Sequence, residues 1–182
     1  MSSIPLLRYA PHLLPAHHLN TITSLEINLD LDLTDPSAEL SHEQQTQWSE
    51  YNFLVGSISS TFGALRRLDL SIRLNCRIVR SENRLNTDEA KLFGPIDGLT
   101  REYLPKLLVL EVAVSREWHA NFMAKAKKAG ALVEQPDIGG YSWNRFWRMV
   151  DGRGQEFMGS DLGYWIRQGY NDTPIVFACR MR

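Results

Sequence analysis

The chain is short of cysteine: Cys76 and Cys179 are the only two in 182 residues. Two thiols cannot form a disulfide framework, and a reducing compartment is the simpler setting. Long hydrophobic runs are missing as well. None approaches the roughly 20 residues that cross a bilayer, and Met1–Leu7 lacks the basic n-region and apolar run of a secretory signal. The expectation is an intracellular protein, in cytoplasm or nucleus, with no membrane partner. There is no excess of charge of either sign: 20 Lys and Arg stand against 21 Asp and Glu. A dedicated nucleic-acid surface normally shows a strong basic excess, so nucleic acid is the least expected partner. No linker rich in Gly, Ser or Pro divides the chain, which reads as a single domain, 1–182.

A reactive constellation is also missing. His17 and His18 are adjacent, so they do not share a face of a helix or strand, and no HExxH or Cys-rich spacing accompanies them. They read as a surface turn. His12, His42 and His119 lack a Ser, Cys or Asp partner at a known spacing. Cys76 precedes Arg77 and Arg80, which could lower a thiol pKa, but a small core residue is the simpler role. Gly152-Arg153-Gly154 lacks the third glycine of a nucleotide loop. No catalytic residue, metal or cofactor is assigned, and a non-enzymatic protein is expected.

What is present is a repeat. Leu25-Glu26-Ile27-Asn28-Leu29, Leu68-Asp69-Leu70-Ser71-Ile72 and Leu110-Glu111-Val112-Ala113-Val114 each alternate apolar with polar or small residues. Such alternation marks a strand with one buried face. The three recur about every 42 residues, a spacing typical of repeat architectures. Strands are expected at about 23–31, 66–75 and 107–114. Between the first two, Trp48, Tyr51, Val55, Ile58 and Phe62 form a helical stripe, with Ser41 and Gln44 as a capping box and Gly63 as the stop. Residues 81–87 read as a polar loop, followed by a helix broken at Gly94-Pro95. Ser115 is the expected cap of a helix over 116–129, stopped by Gly130.

Strand–helix units of this kind bury their apolar faces only by stacking side by side. The expected fold is α/β, leucine-rich-repeat-like, with a mainly parallel sheet and helices on one face. The units are about 20–64, 65–106 and 107–135, followed by an aromatic-rich C-terminal cap at about 136–182. Glu26, Asp69 and Glu111 would align on the face away from the helices as solvent-side residues, repelling one another unless a basic group joins them.

The C-terminal part from Arg116 holds 11 of the 18 aromatic residues. An expected fourth strand, 141–150, puts Trp143, Arg145 and Trp147 on one face and Phe146 and Arg148 on the other. Further short strands are expected at 164–166 and 175–178. Trp143, Arg145, Trp147 and Trp165 are the candidate residues for contacting a ligand or partner, because indoles and a guanidinium stack on planar or sugar-like groups. The competing role is closure of the last core layer.

Several stretches resemble a family of uncharacterised fungal proteins that carry a domain of unknown function. They are Leu6–Tyr9 through Pro15, His18–Ile27, the helix bearing Trp48, Phe62–Leu70 and Gly163–Arg167. Family members begin with an F-box-like helical segment and a Cys-Arg-containing helix; neither is found here, so the resemblance is to the C-terminal two-thirds. It implies no established activity. The strands are also loosely similar to leucine-rich repeats, with a longer period and without the asparagine position. The expected function is a protein-interaction module, with a small-ligand or sugar-binding protein or enzyme, using the aromatic end, as the alternative.

Overall fold

Each repeat forms a strand: β1 is Ser24–Asp32, β2 is Arg67–Asn75 and β3 is Val109–Val114. A computed structural model describes residues 4–32, 42–75, 82–103, 106–134, 137–138, 141–142, 144–150 and 162–169. Before β1 lie α1, Ile4–Leu13, and the single turn α2, Ala16–Leu19. The long helices α3, His42–Thr61, and α4, Glu82–Tyr103, separate the repeat strands. After β3 come α5, Arg116–Lys128, then β4, Val133–Glu134, and a two-stranded ribbon of β5, Asp137–Ile138, and β6, Tyr141–Ser142. The last described strands are β7, Arg145–Met149, and β8, Gly163–Gln168.

The fold is α/β, built on a mixed six-stranded sheet in the order β1-β2-β3-β8-β7-β4. β1, β2, β3 and β8 run parallel, and β7 is antiparallel to both of its neighbours. The repeats are in exact step: Leu25 pairs with Leu68 and Leu68 with Leu110, while Ile27 pairs with Leu70 and Leu70 with Val112. Ile27, Leu70 and Val112 are fully buried, and their row continues through Ile166 to Phe146. Alternation therefore delivers a continuous apolar layer to one face of the sheet, where the helices pack.

The expected stripe on α3 holds. Tyr51, Val55 and Ile58 are buried, as is Phe62 just past the helix, and Trp48 is half-buried. At about 1.5–3 kcal/mol for each fully buried side chain, these groups drive α3 onto the sheet before chain entropy is subtracted. Tyr51 donates through its hydroxyl to the Leu92 carbonyl, and Tyr103 to the Phe62 carbonyl, so each buried phenol is satisfied as it ties α4 to the preceding repeat.

Some expectations change. Residues 82–87 open α4 instead of forming a loop, and α4 runs unbroken through Gly94 and Pro95. The proline removes one backbone donor, yet Leu92, Phe93, Ile96, Leu99 and Tyr103 are all buried on one side, and that packing outweighs the missing bond. Ser115 occupies the N-cap position of α5 but makes no side-chain cap bond. Gly130 adopts φ +76°, the left-handed conformation expected after α5; Gly63 does not, and instead leaves room for Asn20 Oδ1, which would sit 3.0 Å from an added Cβ. His17 and His18 belong to α2, not to a turn, and are exposed. Ser41, Cys76, Gly152-Arg153-Gly154, Cys179 and the expected strand at 175–178 lie outside the described residues.

Among the described residues, no helix is long and apolar enough to cross a membrane. Leu70 sits at the centre of the shared layer. Leu70→Ala should lower unfolding stability by about 3 kcal/mol, read as a lower urea midpoint with unchanged slope.

Candidate functional site

The aromatic candidates come together on the sheet face opposite the helices. On β7 the alternation puts Arg145 and Trp147 on this face and Phe146 and Arg148 on the other. Trp147 pairs in register with Trp165 of β8, and the two indoles meet edge to face with centroids 5.1 Å apart. The Arg145 guanidinium carbon lies 4.2 Å from the Trp165 ring centroid. Trp147 also crosses Gly163: a Cβ there would fall 2.6 Å from Trp147 Nε1 and 2.4 Å from the Arg148 carbonyl oxygen. Only glycine allows this approach. Arg145, Trp147 and Trp165 are thus grouped and half-buried, while Trp143 lies outside the described residues.

Charge runs through the same face. Arg145 donates from Nη2 and Nε to Glu134 Oε2 at 2.7 and 3.1 Å, and from Nη1 to Glu111 Oε1 at 3.2 Å. Arg167 Nε stands 3.4 Å from the other oxygen of Glu111. One repeat over, Arg67 clasps Asp69 with bonds of 2.6 and 2.9 Å. The hydrogen bond to Asp69 holds the Arg67 guanidinium above its ordinary range, whereas burial lowers that of Arg167, with Glu111 and Asp69 opposing the shift.

The expected row of carboxylates is therefore present, since Glu26 pairs with Asp69 and Asp69 with Glu111. Its exposure is not as expected. Asp69 and Glu111 are buried at 4% and 7% exposure, and only Glu26 is open to solvent. The basic partners that the row demands come from the chain itself, from β2, β7 and β8.

A second cluster, on the helix side, has no counterpart in the sequence reading. Arg148 projects from β7 to the helix side of the sheet and is half-buried there. It donates to Asp97 at 3.1 and 2.9 Å and to Glu89 at 2.7 Å, both on α4, and lies 4.7 Å over the Phe93 ring. Tyr164 donates to Asp97 at 2.8 Å, and Lys125 of α5 bonds Glu89 at the surface. Burial lowers the Arg148 pKa, but its bonds to Asp97 and Glu89 more than offset this, and the net shift is upward. Burial also raises Tyr164 and Tyr51 well above the usual phenol range, so both stay protonated donors. The signal in the sequence was an arginine at the core-facing parity of β7, two residues after Phe146.

His119 is buried against the Phe146 ring, with centroids 5.8 Å apart, and its Nε2 has no hydrogen-bond partner. Burial pushes it down to about 4, against a backbone hydrogen bond with Asn144. It acts as a neutral core side chain. Among the described residues, no group of His, Cys, Asp and Glu could hold a metal ion. Protein-family models, curated proteins and solved structures provide no match to this chain.

Arg148→Met leaves Asp97 without its cation and Glu89 with Lys125 alone; these groups are half-buried, and the variant should cost about 1–3 kcal/mol in denaturant unfolding, read as a lower urea midpoint. His119 is depressed in the folded state, so the unfolded chain takes up its proton first on acidification. Stability from this group is complete above pH 6.5 and lost as pH falls towards 4, roughly 3 kcal/mol in all. In His119→Phe, the slope of stability against pH between those values should flatten.

Proposed function

We propose that this chain is a non-enzymatic protein-interaction module. In this reading the strand–helix units are leucine-rich-repeat-like and present the sheet face opposite the helices, and the aromatic strands β8 and β7 close the array. The fungal family it resembles belongs to the same proposal and adds no activity to it. The observation that carries the reading is the exposure along this face. At β8, β3 and the first half of β2 it is packed and neutralised; at β1 and the end of β2 it opens, with Glu26 exposed and the Asp30 and Arg73 side chains 31% and 34% exposed across a 3.7 Å contact. A loose, mixed-charge area on a rigid sheet suits a polar protein surface.

A second reading rests on Arg145, Trp147 and Trp165. A guanidinium over one of two adjacent, half-buried indoles is an arrangement that stacks on a sugar or planar ligand.

Affinity capture with the full chain, followed by reconstitution from purified components, separates the two. The expected result is a protein partner whose affinity falls about tenfold in a Glu26→Lys, Arg73→Glu variant and is unchanged in Trp165→Phe. Failure to retain any protein, with tryptophan fluorescence responding to a panel of glycans and metabolites, would replace the first reading with the second.

A further inference from the structure

The polar residues of β1 mark one border of the sheet, and the backbone there is as informative as the side chains. Among the described residues β1 is hydrogen-bonded to β2 alone. The Thr23 carbonyl accepts from the Arg67 amide. A strand turns successive residues to opposite neighbours, so Leu25, Ile27 and Leu29 also direct their amides and carbonyls to β2. Glu26, Asn28 and Asp30 then direct theirs outward. These three residues also place their side chains on the face away from the helices. Glu26 is exposed, and Asn28 and Asp30 are half-buried.

Two acceptors at this border lack a donor. Asn28 Oδ1 and Asp30 Oδ1 are buried and make no hydrogen bond; Arg73 Nε stands 3.7 Å from Asp30 Oδ1, and the rest of the Asp30 carboxylate is open, its side chain being 31% exposed. An unmatched edge strand with acceptors at alternate positions calls for a strand that brings donors. On the opposite face of the same border, Ile22 and Leu25 are only partly covered against the core.

We infer that β1 receives an extended, basic peptide segment of a partner protein as a further strand, with Lys or Arg facing Glu26 and Asp30 and apolar residues at the alternate positions beside Leu25. Main-chain bonds along the edge hold the segment, and the side chains select it. A second copy of this chain fits poorly. In an antiparallel pair centred on Asn28, Glu26 of each copy would face Asp30 of the other, and like charges directly opposed across strands are destabilising. This inference names the partner chemistry for the interaction module and rests on that reading.

The test uses the full chain and two labelled peptides of β1's length, nine residues, one alternating lysine with valine and the other glutamate with valine. The lysine peptide should bind, more weakly as salt rises, and shift amide resonances of β1. Asn28→Pro removes an amide that points outward, so the β1–β2 bonds survive while the added strand is blocked. It should weaken binding at least about tenfold with little change in melting temperature. Glu26→Lys with Asp30→Lys should invert the preference towards the glutamate peptide, and it decides the matter if the proline variant does not fold. Equal binding of the two peptides, no binding up to about 1 mM, shifts confined to the helices, or dimerisation through β1 would each overturn the inference. A reconstituted partner that binds folded Asn28→Pro as tightly as the parent would remove the edge site yet leave the interaction module standing. Lysine-peptide binding with no protein partner retained would do the reverse.

Discussion

Register is the constraint from which the rest of this structure follows. Side chains along a strand change face at every residue, so three strands share one apolar layer only if each crossover returns the chain to the same phase. Here Leu25, Leu68 and Leu110 are in step, and so are Ile27, Leu70 and Val112. The same phase stacks Glu26, Asp69 and Glu111 on the other face, about 5 Å from strand to strand. Two carboxylates at that spacing repel by about 3 kcal/mol at an effective dielectric near 20. Burial would enlarge the cost, and Asp69 and Glu111 are buried. Arg67, Arg145 and Arg167 answer it directly, which makes the later strands part of the solution to a problem set by the repeats.

Alternation constrains β7 in the same way. With Arg145 and Trp147 on the charged face, Arg148 is carried to the helix side with Phe146, where it is half-buried. A guanidinium there is tolerable only if its charge and donors are met, and Asp97, Glu89 and the Phe93 ring meet them. A buried ion pair adds little net stability over well-packed apolar groups, but losing one partner is expensive. Its effect is therefore discrimination. A one-residue slip of β7 would send Arg148 to the wrong face and leave Asp97 without its cation and Glu89 with Lys125 alone, which favours the observed phase of β7 against α4.

Much of this was readable in the sequence because it is periodic. The three repeats, the α3 stripe and the placing of Arg145 and Trp147 on one strand face follow from periods of 2 and 3.6 residues, whereas Trp165 joins them only through the pairing of β8 with β7. The order of the strands was less accessible. β4 has only two residues, and nothing local says that the crossover after β3 leaves room for β8 and β7 to fill. Local rules also misread α4, where Gly94 and Pro95 signal a break and tertiary burial of Leu92, Phe93 and Ile96 overrides it. The burial of Asp69 and Glu111 was hidden for a related reason. A carboxylate at an outward position looks solvated until its partners, distant in sequence, are known.

Compensation is also uneven across the sheet, and this directs attention to β1. Glu111 lies between two arginines and Asp69 is gripped by one, whereas Glu26 is open and Asp30 reaches Arg73 only at 3.7 Å. Every interior strand has neighbours on both sides to supply cations, but β1 draws on β2 alone among the described residues. The deficit is thus a consequence of position in the stack. The same position turns the backbone of Glu26, Asn28 and Asp30 outward, so uncompensated charge and unmatched main chain share one border of the sheet among the described residues.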